Sequence, residues 1–207
     1  MHFPLERPAR LAVFASGRGS NLRSLLAAFP PGHPLASVGL VISNKAEAGA
    51  LAHAQASGVR AHFIPFGKNR KSFEAKAVRL LDREEVDLIC LAGFMRVLSS
   101  EFVGRYAGRI LNVHPSLLPR FPGLHPQRQA LDEEVQESGC SVHFVDAGVD
   151  TGQVIVQRRV RVFPDDDVDA LSARILGAEH EAYPEAVRLV LAGEVIMDAP
   201  QKAASIR

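Results

Sequence analysis

The chain has 207 residues, 47% of them hydrophobic, with 24 basic and 23 acidic side chains and a formal net charge of +1. That length fits one α/β domain with a sizeable core, and the near-neutral balance argues against a general nucleic-acid or membrane-surface binder. No apolar stretch approaches the roughly 18 residues that span a bilayer. Met1 to Pro8 contains no signal-peptide apolar region, so a cytoplasmic protein is expected. Cys90 and Cys140 are too few for a disulfide framework or a zinc site, and both read as small buried thiols.

In chain order, Arg10 to Ala15 reads as a short buried strand and Ser16-Gly17-Arg18-Gly19-Ser20 as a glycine-rich turn. Asn21 is expected to cap a helix through Leu22, Leu25, Leu26 and Phe29, which Pro30-Pro31-Gly32 ends. Val38 to Ser43 is a second strand. Ala-rich Glu47 to Ser57 is a helix closed by Gly58. Ala61 to Ile64 is a third strand, and Lys71 to Glu85 carries apolar residues at helical spacing. Leu88 to Ala92 is uniformly apolar, as in a strand buried on both faces. This alternation predicts a parallel sheet with right-handed crossovers. Gly93 to Leu98 is an apolar loop, and a short helix is expected near Phe102 to Tyr106. Ser141 to Val145 and Val154 to Val162 read as strands of an antiparallel hairpin, and Asp165 to Leu191 as a long amphipathic helix. Asp165-Asp166-Asp167 suits the acidic start of that helix.

Two segments carry chemistry. In Ile110-Leu111-Asn112-Val113-His114-Pro115 the alternation of a strand puts Asn112 and His114 on one face. The proline that ends the strand suggests an exposed sheet edge. An amide donor, a titratable imidazole and a carboxylate from Asp146 to Gly152 would suit chemistry at a carbonyl. The second segment is the glycine turn. A strand, Gly-x-Gly and a helix make a phosphate site from backbone N–H groups and the helix terminus, with Ser20 and Asn21 adding donors. Leu22 replaces the third glycine of a dinucleotide fingerprint, and Ser43-Asn44 offers no acid for a ribose diol, which disfavours a nicotinamide cofactor. His125 and His143 match no zinc spacing, and no metal is expected.

Ser16-Gly-Arg-Gly-Ser-Asn21, Leu91-Ala-Gly-Phe-Met-Arg-Val-Leu-Ser99, Asn112-Val-His-Pro-Ser-Leu-Leu-Pro119, Pro122-Gly-Leu-His125, Cys140-Ser-Val-His-Phe-Val-Asp146 and Gly148-Val-Asp-Thr-Gly152 occur in order. Over residues 10 to 195 this set resembles the phosphoribosylglycinamide formyltransferase family. The resemblance implies a doubly wound, mostly parallel, Rossmann-like formyltransferase fold with an antiparallel extension in the C-terminal half. A nucleotide-binding half, about 10–100, would join a folate-binding and catalytic half, about 101–195, in one domain over 1–207. It implies 10-formyltetrahydrofolate as co-substrate and glycinamide ribonucleotide as formyl acceptor. Asn112, His114 and Asp150 match the family's catalytic trio. Gly19, Ser20 and Asn21 match its phosphate loop, and Glu179 a ribose contact. Arg70, Met95, Arg96, Val97, Leu98, Asn112 and the loop Asp146, Ala147, Gly148, Val149 and Asp150 match its folate contacts, and His143 a histidine beside the site. Gln153 stands where a proline is common, and Pro126-Gln127 differs from some relatives.

The resemblance also sets the rivals. A formyltetrahydrofolate hydrolase shares the trio but is expected to carry an N-terminal regulatory module, whereas this chain begins almost at its first strand. A methionyl-tRNA formyltransferase would need a further C-terminal domain and a more basic surface.

Overall fold

The computed structural model describes residues 3–67 and 69–197. Met1 and His2, the start of the segment searched for a signal sequence, lie outside the described residues, as does 198–207, the tail of the expected domain. The elements are β1 (Ala9–Ala15), α1 (Ser20–Ala28), β2 (Ala36–Ser43), α2 (Gly49–Ala56), β3 (Arg60–Phe63), α3 (Arg70–Arg83), β4 (Leu88–Leu91), α4 (Ser100–Arg105), β5 (Ile110–His114), α5 (Pro126–Asp132), β6 (Glu137–Phe144), β7 (Val154–Arg161) and α6 (Val168–Leu191). One seven-stranded sheet runs β3-β2-β1-β4-β5-β6-β7. The first five strands are parallel. β6 lies antiparallel to β5, and β7 to β6.

Alternation along β1 builds both faces. Leu11, Val13 and Ala15 pack with Leu22 and Leu25 of α1 and with Leu171, Ile175, Tyr183 and Val187 of α6. Ala12 and Phe14 pack on the other face with Phe73, Ala77 and Leu81 of α3 and with Phe102 and Val103 of α4. The sheet is therefore covered on both sides, as a doubly wound fold requires. β1 sits between β2 and β4, so the connections leaving β1 and β4 diverge and open a crevice at the carboxyl ends of the strands.

The four strands and three helices expected before residue 93 form with ends moved by one or two residues. Four expectations need correction. First, β5 is not a sheet edge, because it lies between β4 and β6; Pro115 follows the last ladder residue and so removes no ladder hydrogen bond. Second, α1 is capped at Gly19, in the left-handed region at φ 82°, while Asn21 is already helical and buried. Third, α5 was not expected, and β6 starts at Glu137, four residues before Ser141. Fourth, the helix expected near Phe102 runs from Ser100 to Arg105, because the Ser99 side chain accepts from the Phe102 N–H and starts it earlier. The acidic run before α6 behaves as expected: Asp167 caps the Ala170 N–H, and Asp166 also pairs with Arg174 at 2.6 Å.

Candidate active site

The glycine turn joins β1 to α1 where the crevice opens. A Cβ on Gly19 would lie 2.7 Å from the Ala50 Cα, so only glycine fits between the turn and α2. The Ala50 N–H donates to Gly17 O at 3.2 Å and holds that approach. Ser20 is the first residue of α1. Its N-terminal N–H groups and macrodipole make the turn a place for an anion. Asn21 takes a different role from the donor expected of it. Its Nδ2 donates to Glu179 Oε2 of α6 at 2.7 Å. Burial pushes the Glu179 carboxyl above its ordinary value, against the pull of that hydrogen bond.

A polar row crosses the antiparallel part of the sheet. Asn112 is register partner to His143 and His114 to Ser141, and Ser141 to Gln157. Directly paired residues share a face, and side chains two apart on a strand do too. Asn112, His114, Ser141, His143 and Gln157 therefore line one side. His114 is 5% exposed. Its Nε2 lies 2.8 Å from Phe121 O and its Nδ1 3.2 Å from Asp150 Oδ2. A carbonyl only accepts, so Nε2 carries a proton. The Asp150 carboxylate faces the other ring nitrogen.

Asp150 is the hub. Its Oδ2 also accepts from the Gly123 N–H at 2.9 Å, and its Oδ1 accepts from Asn112 Nδ2 at 3.3 Å. His143 Nε2 is 3.5 Å from the same Oδ1 and 3.2 Å from Asn112 Nδ2. Burial alone would raise the Asp150 carboxyl. The hydrogen bonds from His143 and the Gly123 amide, together with the fields of His114 and His143, outweigh it and hold the group below its ordinary value. The Asp150 backbone is left-handed, at φ 55°. Aspartate is one of the few side chains that tolerates this, and the turn sends its carboxylate back onto β5. The expected trio is thus brought together, and the expected neighbour His143 with it.

Apolar side chains flank the hub in sequence: Leu124 follows Gly123, Val149 precedes Asp150, and Met95 and Val97 lie in the loop after β4. Met95, Val97, Leu124 and Val149 are 69%, 61%, 74% and 52% exposed, half of the large hydrophobic side chains that the described residues leave exposed. Such a concentration marks a binding surface. The loop after β4 is tied to the glycine turn: the Met95 N–H donates to Ser16 Oγ at 2.9 Å, and Ser16 Oγ donates to Asn44 Oδ1 at 2.6 Å. Arg96 lies over the Phe66 ring. Leu98, also in the expected contact set, is buried with Phe94 in the second core. Arg70 makes its ion pair with Glu74 at 3.9 Å rather than with the trio; Glu74 in turn accepts from Ser99 N at 2.7 Å and so anchors the far end of the loop. Asp146 folds its own loop by accepting from the Gly148 N–H and Thr151 Oγ1, which leaves Ala147, Gly148 and Val149 exposed beside the hub. Sequence reasoning missed Ser16, Ser141 and Gln157. Among the described residues no group of three or more His, Cys, Asp or Glu could hold a metal ion, and no helix is long and apolar enough to cross a membrane.

Residues 9–187 match the family described as formyl transferase. The chain is 48% identical to the trifunctional purine biosynthetic protein adenosine-3 of Drosophila melanogaster, over 93% of this chain and 14% of that protein. It thus spans only a small part of such multifunctional relatives. It is 43% identical to the phosphoribosylglycinamide formyltransferase of Escherichia coli (strain K12), over 84% of this chain and 83% of that one. The glycinamide ribonucleotide transformylase 1 structure from Symbiobacterium toebii superposes with a TM-score of 0.88 at 42% identity, covering 94% of this chain and 92% of that one. A formyltetrahydrofolate deformylase from Pseudomonas syringae pv. tomato shares the fold at a TM-score of 0.84 and 25% identity, over 90% of this chain and 62% of that one. With its crevice between β1 and β4 and its Asn-His-Asp hub at the end of β5, the chain belongs to the formyl transferase family.

Proposed function

We propose that the chain transfers the formyl group of 10-formyltetrahydrofolate to the amine of phosphoribosylglycinamide, a step of de novo purine biosynthesis. The observation that carries this reading is the convergence of His114 Nδ1 and Asn112 Nδ2 on the two oxygens of Asp150. The reading is supported further by the glycine turn at the N-terminus of α1, suited to an anion, and by the exposed apolar side chains next to Gly123 and Asp150 and in the loop after β4. The backbone N–H groups of Gly19, Ser20 and Asn21, with the Ser20 hydroxyl, take the phosphate, and Glu179 takes the ribose. Arg70, Arg96, those apolar side chains and the Asp146 to Asp150 loop take the folate. The two halves, about 10–100 and 101–195, act as one domain over 1–207. The reaction transfers a group between two small molecules, takes place in the cytoplasm and uses neither nucleic acid nor a metal.

The steps balance without a covalent enzyme intermediate. The amine nitrogen attacks the formyl carbon, and the carbonyl oxygen becomes an oxyanion that draws His114 Nδ1–H and an Asn112 amide hydrogen away from the Asp150 oxygens they meet in the free protein. The nitrogen, now cationic, gives up a proton toward the Asp150 carboxylate. Collapse of the tetrahedral carbon expels the folate nitrogen, which takes up a proton. The products are the formamide and tetrahydrofolate. Donors preorganised toward developing negative charge are each worth roughly 3–4 kcal/mol in comparable sites.

The test is a formyl-transfer assay with phosphoribosylglycinamide, with its unphosphorylated riboside and with no acceptor. Transfer is expected to need the phosphorylated acceptor, because remote binding energy positions the amine. Rapid formate release without acceptor would reassign the chain as a hydrolase. Ser20→Asp places a carboxylate at the turn. It is expected to raise KM for the ribonucleotide at least tenfold, on the order of 1.4 kcal/mol, and to leave KM for the folate within about twofold. Equal effects on both constants would remove the phosphate from this turn.

A further inference from the structure

The row His114, Ser141 and Gln157 continues past the hub to β7 at the edge of the sheet. Most polar side chains of an edge strand face solvent and bond to water. Gln157 is itself exposed, yet its amide directs both of its hydrogens onto protein acceptors. Nε2 donates to Leu118 O at 2.8 Å and to Ser141 Oγ at 2.9 Å. Ser141 Oγ also accepts from the Leu118 N–H at 3.0 Å and donates to Ser116 O at 2.7 Å. A hydroxyl has one proton and two acceptor sites, so Ser141 is saturated. The network fixes the amide orientation too, since a flipped Gln157 would set oxygen against Leu118 O. Ser116 Oγ adds a bond to Arg120 O at 2.5 Å.

These bonds all end on one turn, Ser116 to Arg120, and that turn delivers the hub's partners. The next residue, Phe121, is left-handed at φ 56°, a conformation aromatic residues rarely adopt. The surroundings must therefore impose it. Its consequence is that Phe121 O faces His114 Nε2. Two residues on, the Gly123 N–H reaches Asp150 Oδ2. The turn thus sets the ring plane and protonated nitrogen of His114 and one of the bonds that hold Asp150.

We infer that Gln157, acting through Ser141, is a positioning residue for formyl transfer: it pins the Ser116 to Arg120 turn so that Phe121 O holds His114 with its proton on Nε2. The inference rests on the proposed function for its rate readout but not for its structural one. Gln157→Met keeps the length and removes both donors. Its kcat is expected to fall roughly tenfold to a hundredfold, as small misplacements of reacting groups do. Both KM values should stay within about twofold, and the pH profile of kcat should shift. Independently of activity, histidine ring nitrogen NMR at alkaline pH should report a single Nε2-protonated His114 in the parent and a mixture of tautomers in Gln157→Met. Ser141→Ala removes the bonds to the Leu118 N–H and Ser116 O and leaves the turn only the Gln157 bond to Leu118 O; it should move both readouts in the same direction at least as far, and it supplies the test if Gln157→Met does not fold. An unchanged His114 tautomer in a folded variant overturns the inference. So does a kcat within twofold of the parent, or a loss that matches the unfolded fraction with no change in pH profile. A parent that transfers no formyl group but shows the tautomer change sinks the proposed function and keeps the positioning role.

Discussion

His114→Ala is expected to lower kcat by roughly two to three orders of magnitude, the range for removing one preorganised donor. The ring is almost fully buried, and both of its nitrogens are committed to oxygen. No water can stand in for it with the same fixed direction, because Phe121 O and Asp150 Oδ2 hold it from two sides. The substitution also leaves Phe121 O without a donor, at a cost of roughly 1–3 kcal/mol, while Asp150 Oδ2 keeps the Gly123 N–H. Stability therefore falls as well, and kcat has to be expressed per folded molecule, with the folded fraction taken from circular dichroism at the assay temperature. Both KM values should change little, since neither the glycine turn nor the exposed apolar side chains are touched. A folded variant with turnover within tenfold of the parent would remove His114 from the chemistry.

The N-terminal half of the fold was legible because its signals are local. Buried parallel strands read as unbroken apolar runs, as in Leu88 to Leu91, and the helices between them carry their own periodicity. The C-terminal half was harder. α5 buries only Pro126 and Ala130, which is too little apolar pattern to reveal seven helical residues. The first half of β6, Glu137-Ser138-Gly139-Cys140, has the composition of a loop. Its pairing with Arg158 to Arg161 of β7 makes it a strand, a tertiary effect that propensity does not carry.

The site divides in the same way. Asn112 and His114 were legible as a pair because alternation on a strand is a local rule. That β5 lies inside the sheet was not legible, since Pro115 is compatible with either place. Asn21 has the side chain of a helix cap, but the close approach of Ala50 gives the cap to Gly19, and Asn21 turns to Glu179 instead. Asp150 and Glu179 were assigned through resemblance alone, because nothing local distinguishes Asp150 from a turn aspartate. Ser141 and Gln157 had a usable signal that went unread. Asn112-Val-His114 set antiparallel to Ser141-Val-His143 places polar residues opposite each other at both positions, and the β7 residue facing Ser141 then becomes a candidate.

Asp150→Asn isolates the charge of the hub. Asparagine has nearly the same shape and tolerates the left-handed backbone at this position. Turnover is expected to fall roughly a hundredfold or more, as when a buried aspartate behind a catalytic histidine loses its charge. The amide can place its N–H group against His114 Nδ1, which then accepts, and the ring settles in its neutral Nε2–H form. The proton acceptor for the attacking amine is lost in the same change. Stability responds with a defined sign. The folded protein holds the Asp150 carboxyl below its ordinary value of 3.8, so the ionised group stabilises the fold. That contribution is complete at pH values above the unfolded value, and it is lost as pH falls through the lower folded value. The parent is therefore expected to melt above Asp150→Asn near neutral pH, with the gap closing in acid below the ordinary aspartate range. Melting temperatures of the two proteins from neutral pH down to the acid transition make the check. A gap that stays constant with pH would mean that the four groups around Asp150 hold its shape rather than its charge.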